Sequence, residues 1–184
     1  MKKLVSLLCI AVLLFSLSAA AFAADTEIEV MTTSIESIDP DVYEGEWMKF
    51  GDYFDLYLPT DWAKWKLTDD DIAADMFYQT GPRDESAFVS IYYKDADSAE
   101  AQAFASEASA LATAEQYGFE LREFRFNDEI FGYGYYVESV DMTFVIIPFV
   151  EGDAYAISFQ PASDEDLAPY FANILQSLSL TESN

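Results

Sequence analysis

Carboxylates and aromatic rings are the side chains with which this sequence can do chemistry. The chain has 34 Asp and Glu, 15 Phe, 12 Tyr and 3 Trp, but no His and a single Cys. Without an imidazole base, a Ser–His–Asp triad cannot form. A serine–lysine pair would need Lys49, Lys64 or Lys66, and no motif supplies an activating neighbour there.

Catalysis by paired carboxylates, as in glycan hydrolases, is the one enzymatic class that the composition leaves open. With 34 acidic residues, however, some pairs will have a suitable spacing by chance. Solvated surface carboxylates explain the same residues without any activity. The sequence therefore favours a protein that is not an enzyme, with a carboxylate-based glycan hydrolase as the alternative.

Two acidic clusters are the candidates for a metal site, Asp69-Asp70-Asp71 and Asp95-x-Asp97-x-x-Glu100. Their ligands are hard oxygens, so calcium or magnesium would be the ion. Neither cluster matches an EF-hand loop, and Asp97 with Glu100 resembles a helix capping box. We therefore expect turn and cap roles rather than a calcium site, and no cofactor.

Five aromatic residues are the candidates for a ligand-binding platform: Trp47, Trp62, Trp65, Tyr53 and Tyr57. Aromatic side chains combine a large contact area with one polar tip, which suits the binding of sugars or peptides. The competing interpretation is that these rings fill the space between a sheet and a helix. That interpretation is favoured, because alternating aromatic positions on strands usually pack a core.

A strand with two unlike faces is the third notable pattern. Phe131, Tyr133, Tyr135 and Val137 share one face, whereas Gly132 and Gly134 lie on the other. Glycine inside a strand leaves a flat spot where another group approaches closely. We expect that group to be a helix of the protein itself.

The first 23 residues have the organisation of a cleavable signal peptide. A positive start at Met1-Lys2-Lys3 precedes an apolar run over residues 4–17, and Ala21-Phe22-Ala23 fits the cleavage rule. The run is shorter than the roughly 20 residues of a membrane span, and Cys9 lacks a lipoprotein pattern. We expect an extracytoplasmic protein, secreted or periplasmic, without a membrane span after cleavage.

The remaining chain, residues 24–184, is strongly acidic. It carries seven Lys and Arg against 34 Asp and Glu, a net charge of −27, and it has no cysteine. Nucleic acids and anionic lipids bind basic surfaces, so they are not expected partners. A cation, a basic protein or a cell-envelope ligand fits better. Crowded carboxylates repel one another, so we expect their pKa values to be raised in the folded state.

The hydrophobic pattern divides this part into an acidic spacer, residues 24–46, and one domain, residues 47–181. Alternation over residues 27–30 also fits an edge strand. Short strands, a helix, four more strands and a final helix follow one another in the domain. This order predicts an α+β fold, a mainly antiparallel sheet with helices packed on it.

Three elements carry this prediction. Met142 to Phe149 is apolar on both faces and is expected in the centre of the sheet. A helix is predicted from Asp97, as its N-cap, to Gly118. Its buried face would comprise Ala101, Phe104, Ala105, Ala108, Leu111 and Ala112. Asp166 is the expected cap of the last helix, with Pro169 in its first turn.

Two segments resemble PsbP-like domains. Residues 53–62, Tyr-Phe-Asp-Leu-Tyr-Leu-Pro-Thr-Asp-Trp, are similar to the opening strand, proline and tryptophan of that superfamily. The end is similar too, with the strand Tyr155–Phe159 and a helix finishing in Ile174-Leu175-Gln176-Ser177-Leu178. The resemblance implies an α/β/α sandwich without shared catalytic residues. Because members of that superfamily bind unrelated partners, the resemblance implies little about function. We interpret the protein as a binding or interaction module whose ligand is unidentified.

The excess of negative charge generates a prediction about salt. Monovalent salt should raise the melting temperature of the mature protein, residues 24–184, at neutral pH, because it screens carboxylate repulsion. Millimolar calcium should raise it little more than a monovalent salt of equal ionic strength, since neither acidic cluster has a ligand loop. Thermal melts in matched salts test this, and a calcium effect that saturates at low concentration would contradict it.

Overall fold

A mixed eight-stranded sheet forms the centre of the protein. The computed structural model describes residues 29–51, 53–84, 86–126, 130–149 and 152–180, and the predicted signal peptide lies outside them. The strands are β1 (Glu29–Thr33), β2 (Gly45–Phe50), β3 (Phe54–Pro59), β4 (Ala63–Lys64), β5 (Met76–Gly81), β6 (Phe88–Lys94), β7 (Arg122–Phe126), β8 (Ile130–Val137), β9 (Met142–Pro148), β10 (Ala154–Gln160) and β11 (Ser179–Leu180). The α-helices are α1 (Asp69–Ala73), α2 (Ala99–Ala103), α3 (Glu107–Tyr117) and α4 (Ala168–Gln176).

The strands form two sheets. The large sheet has the order β1-β7-β8-β9-β10-β6-β5-β4, and β2, β3 and β11 form a small sheet with β3 in the middle. Neighbouring strands are antiparallel except β1 and β7, which are parallel. The fold is thus α+β, as the sequence predicts, and β9 lies in the centre as expected.

Each face of the large sheet has its own cover. On one face, Ala101 of α2, Phe104 directly after it and Ala110 of α3 pack against Ile146 of β9 and Ala156 of β10. On the other face, apolar residues of the small sheet and of α4 pack against β6, β9 and β10. The sequence predicted helices as the covering elements. The second cover also contains the small sheet, because the apolar side of β3 faces the large sheet.

The helix predicted from Asp97 to Gly118 is two helices. Ser98, and not Asp97, caps α2, and its hydroxyl accepts the Ala101 amide. Ser106 caps α3 and exchanges hydrogen bonds with Ser109. Serine side chains compete for backbone amides, which ends a helix despite a continuous apolar pattern.

The break between α2 and α3 changes which residues of the second helix are buried. Its buried residues are Ala110, Thr113 and Ala114. The predicted face is therefore wrong beyond Phe104, since Ala105, Ala108 and Ala112 are exposed. The expected end of the helix holds, because Gly118 has a left-handed φ of 72°.

The last helix starts differently from the prediction. Asp164, rather than Asp166, receives the local amides, since its Oδ1 accepts hydrogen bonds from the backbone of Asp166 and Leu167. Pro169 lies in the first turn as expected. Among the described residues, no helix is long and apolar enough to cross a membrane.

Part of the predicted acidic spacer packs on the domain. The alternating segment contributes β1, which pairs with β7 at the edge of the large sheet. The amide of Asn173 on α4 makes two hydrogen bonds to the backbone of Asp39, donating to its O and accepting from its N at 2.7 and 2.9 Å. Tyr43 is buried in the core. The pairing of β1 joins this segment to the large sheet, and the contacts of Asp39 and Tyr43 join it to the second cover.

The position of β9 generates a stability prediction. Ile146 is 3 % exposed between β9 and helices α2 and α3, so Ile146→Asp would bury an unpaired charge at a cost on the order of several kcal/mol. We expect loss of the cooperative unfolding transition. Ile72→Asp is the matched control, because Ile72 is 59 % exposed on α1 and should change the free energy of unfolding by less than about 1 kcal/mol. A soluble, cooperatively melting Ile146→Asp protein would show that the core is placed wrongly.

Candidate functional site

A groove lies where β7, β8 and β9 meet the segment after β10. Its volume is about 410 Å³, within the range of small-molecule sites. It opens on the face of the large sheet that also holds the small sheet, beside that cover. The groove is lined by Glu120, Arg122, Phe124, Gly134, Tyr135, Tyr136, Thr143, Ala162 and Ser163.

Gly134 forms the floor of the groove. A Cβ atom at this position would lie 2.2 Å from Cε2 of Phe124, so the phenylalanine ring rests directly on the glycine backbone. Phe124 comes from β7, the neighbouring strand. The sequence predicted a close approach at Gly132 and Gly134 but assigned it to a helix. An aromatic ring from the adjacent strand takes this place, an arrangement that compensates glycine in sheets.

Asp141 organises one rim of the groove. Its carboxylate accepts hydrogen bonds from the Tyr136 hydroxyl at 3.0 Å and from the Ser163 amide and hydroxyl at 2.9 and 2.8 Å. Its backbone carbonyl accepts the Ala162 amide. Asp141 has a left-handed φ of 50°, which Asp and Asn tolerate better than most residues. The aspartate thereby joins the β8–β9 turn to the segment after β10.

These hydrogen bonds also set the protonation of the rim. The Ser163 hydroxyl lowers the pKa of Asp141 below its ordinary value, and the Asp141 carboxylate raises the pKa of Tyr136. The pKa of Asp84 is likewise lowered, by hydrogen bonds from Ser86. The expectation of raised carboxyl pKa values is therefore wrong for both of these aspartates. A nearby donor outweighs diffuse repulsion because it acts at contact distance.

The groove combines an apolar floor with polar ends. Phe124 and Gly134 supply the floor, while Arg122, Thr143 and Ser163 supply polar groups around it. Such a site suits a small ligand with one flat apolar part and hydrogen-bonding groups at its ends. Glu120 is the one carboxylate among the residues that line the groove, whereas glycoside hydrolysis uses two.

The five predicted platform residues do not form one surface. Trp47 and Tyr57 contact each other on the outer side of the small sheet, with ring centroids 5.5 Å apart. Tyr57 stacks on Tyr43, Tyr43 on Tyr170, and Tyr170 on Trp62. This series of rings runs from Trp47, which is 50 % exposed, to Trp62, which is 9 % exposed.

Tyr53 and Trp65 lie elsewhere. Tyr53 contacts Phe149 and Tyr155 at the edge of the second cover. Trp65 packs edge-on against Phe88, and its buried Nε1 has no hydrogen-bond partner among the described residues. Three of the candidates thus share one aromatic series, and two belong to separate contacts.

The acidic candidates are divided between helix ends. Asp69, Asp70 and Asp71 open α1, where the sequence predicted a turn. Thr68 caps this helix, and its backbone amide donates a hydrogen bond to Oδ2 of Asp71 at 2.7 Å. Glu100 lies in the first turn of α2, and Asp95 and Asp97 are exposed just before it. In the described part of the chain, no group of three or more Asp, Glu or Cys is placed to hold a metal ion.

One buried carboxylate bears on the hydrolase alternative. Glu123 on β7 is 8 % exposed and accepts a hydrogen bond from Nε of Arg125 at 2.9 Å. It lies opposite Tyr133, on the face covered by α2 and α3. Glu123 and the groove therefore occupy opposite faces of the sheet.

Two comparisons with known proteins found no match for this chain. No protein-family profile matches it, and no curated protein is significantly similar. The resemblance to PsbP-like domains therefore stays a prediction.

Sequence reasoning missed most of the groove. Phe124, Tyr136, Thr143 and Ser163 come from β7, β8, β9 and the segment after β10. Nothing in their spacing connects these residues. The available signal was the pair of glycines on one face of β8, which marked the floor.

The rim generates a prediction about pH. Because the folded pKa of Asp141 is lowered, its stabilising effect is fully present above the ordinary value of 3.8. It is lost as the pH falls through the folded value. Asp141→Asn, which tolerates the same backbone, should melt below the wild type at neutral pH, and the gap should shrink in acid. Glu138→Gln removes an exposed charge from the same turn and serves as control. A gap for Asp141→Asn that is unchanged down to pH 2 would refute the assignment.

Proposed function

We propose that this protein is a non-catalytic, extracytoplasmic binding module whose groove over Gly134 takes a small ligand or a side chain of a partner. The observation that carries the proposal is the Phe124 ring seated on Gly134 beside about 410 Å³ of open volume. The backbone hydrogen bonds between adjacent strands hold the residues of this site in place. The site is therefore formed before a ligand binds and does not need to close around it.

The rim supports the same function. Asp141 ties Tyr136 and Ser163 into one hydrogen-bonded group, so these polar edges of the groove keep their positions when the ligand enters. Preorganised polar groups reduce the entropy that binding costs. The groove is thus suited to selecting a ligand by shape and by a few hydrogen bonds.

The hydrolase is the weaker candidate. Glu120 lines the groove on one face of the sheet, whereas the buried Glu123 lies on the opposite face, beside α2 and α3. The sheet therefore separates the two carboxylates. Hydrolysis of glycosidic bonds needs two carboxyl groups flanking one bond, about 5–10 Å apart. Binding without catalysis needs only the groove itself.

The proposed location rests on the leader. Residues 1–23 combine a positive start, an apolar run and a small-residue cleavage site. N-terminal sequencing of exported material should give a chain that begins near Ala24.

The groove is tested with a variant that fills it. Thr143 is half-buried and lines the groove, so Thr143→Trp should occupy the volume. Fragments with an aromatic ring and an amide or carboxylate should shift the backbone NMR signals of Gly134 and Thr143 in the wild type. Their affinity should fall at least about tenfold in Thr143→Trp. Thr60→Trp places the same side chain on an exposed turn after β3 and should bind like the wild type.

Two results would contradict the proposal. Fragment-induced shifts that map to other surfaces in both variants would show that the groove is not the site. Release of reducing sugar from a panel of cell-wall glycans, abolished by Glu120→Gln, would establish the hydrolase instead.

A further inference from the structure

Tyr155 is the centre of an aromatic cluster at the end of the sheet opposite the groove. Five rings surround it, with centroid distances between 5.1 and 5.8 Å: Tyr53, Phe54, Phe77, Tyr93 and Phe149. We name the part of this cluster that reaches the surface, Tyr53, Phe77, Tyr93 and Phe149 with Tyr155 beneath them, the Tyr155 patch.

Separate elements deliver these rings to one place. Tyr53 follows the turn between β2 and β3, where Gly51 has a φ of 61°. Phe77 lies where the register between β5 and β6 shifts, and such a bulge redirects a side chain. Phe149 directly follows β9. Tyr53 and Phe77 remain 39 % and 40 % exposed although both contact the core. Exposed aromatic rings held on a rigid base are typical of binding surfaces.

Carboxylates border the patch. The Tyr93 hydroxyl donates to Oδ2 of Asp153 at 2.6 Å, and the Ala96 amide donates to Oδ1 of the same residue. The hydrogen bond to Asp153 raises the pKa of Tyr93, and the negative charges of Asp153 and Asp95 raise it further. Burial, Tyr53 and Asp153 raise the pKa of Tyr155 to about 12. Negative charge therefore adjoins the aromatic rings.

We propose that the Tyr155 patch binds a basic peptide segment, with an arginine or lysine side chain over the exposed rings of Tyr53 and Phe77. A cation is attracted to the face of an aromatic ring, and Asp153 and Asp95 add opposite charge beside it. The whole chain carries 34 acidic against nine basic residues, which draws cationic partners from a distance. Aromatic contact and charge thus favour the same kind of partner.

The ring geometry favours a peptide over a glycan. Sugars stack on flat exposed ring faces, whereas the rings around Tyr155 are inclined to it by 50° to 81°. These rings therefore do not extend the Tyr155 ring into one flat platform, and a single ring face suffices for one cationic side chain.

The patch is independent of the groove. Thr143 in the groove and Phe149 in the patch are six residues apart along β9, about 20 Å at the rise of a strand. A failure of the groove proposal therefore leaves this one untouched.

The test separates aromatic contact from diffuse attraction. Binding of an Arg-Gly repeat peptide of eight residues to the purified protein is measured by calorimetry at 150 mM NaCl. Tyr53→Ala/Phe77→Ala leaves the net charge unchanged and should weaken binding about tenfold. Trp47→Ala, which removes another exposed ring, should stay within about twofold of the wild type.

A second pair of variants tests the charges and does not touch the core. Asp95→Lys and Glu165→Lys change the net charge equally, but Glu165 lies beyond the other end of β10. Asp95→Lys should weaken the peptide by at least fivefold more than Glu165→Lys. If circular dichroism shows that Tyr53→Ala/Phe77→Ala is unfolded, this comparison of the two charge variants tests the proposal on its own.

Three outcomes would overturn the proposal. Equal affinity of the wild type and a folded Tyr53→Ala/Phe77→Ala protein would mean that only diffuse charge attracts the peptide. Equal effects of Asp95→Lys and Glu165→Lys would mean the same. The third outcome is that Tyr53→Ala/Phe77→Ala weakens the binding of a neutral β-1,4-linked hexasaccharide but leaves the affinity for the peptide unchanged. The patch would then be a glycan-binding surface.

Discussion

The two unlike faces of β10 hold the whole structure together. Tyr155, Ile157 and Phe159 fill one side with large rings and branched chains, and the small Ala154 and Ala156 occupy the other. Small residues let the helices α2 and α3 approach the sheet closely, while large residues support the small sheet and α4 at a greater distance. Since β9 and β6 flank β10, both covers depend on this alternation. The groove and the Tyr155 patch lie where the second cover ends, at opposite ends of these strands.

This alternation is visible in the sequence, which is why the sheet and its central strand are predictable. The period of two and the lengths of β7 to β10 identify the strands. The break before Ser106 is not predictable from apolar spacing, because it depends on hydroxyl groups that compete for amides over a few residues. The small sheet is not predictable from the sequence for another reason. β3 reads as a strand, but Ser179 pairs with Asp55 across more than a hundred residues, and no local pattern encodes that pairing.

Neighbours in sequence and neighbours in space differ most at the candidate sites. Tyr53 and Tyr57 are four residues apart, yet the first contacts Tyr155 and the second stacks on Tyr43. The pleat of a strand alone would place both rings on one face, but Tyr53 lies in the turn before β3, which directs its ring to a different surface. The composition therefore shows that the protein has many aromatic rings that could bind a ligand, but it does not show which of them lie together in the fold. Glycine is more informative, because Gly134 specifies a backbone that must lie open to a neighbouring ring whichever strand provides that ring.

The acidic residues explain how so much negative charge is compatible with a folded domain. Several aspartates accept hydrogen bonds from nearby backbone amides: Asp39, Asp71, Asp84, Asp141, Asp153 and Asp164. Four of these contacts stabilise a turn or a helix start locally, whereas those of Asp141 and Asp153 join segments that are far apart in the sequence. Salt screens the repulsion that remains between these charges. Their summed field nevertheless attracts cations from all directions without distinguishing among them. Selectivity must then come from short-range contacts, and exposed rings beside an oriented carboxylate, as at Tyr93 and Asp153, supply contacts of that kind.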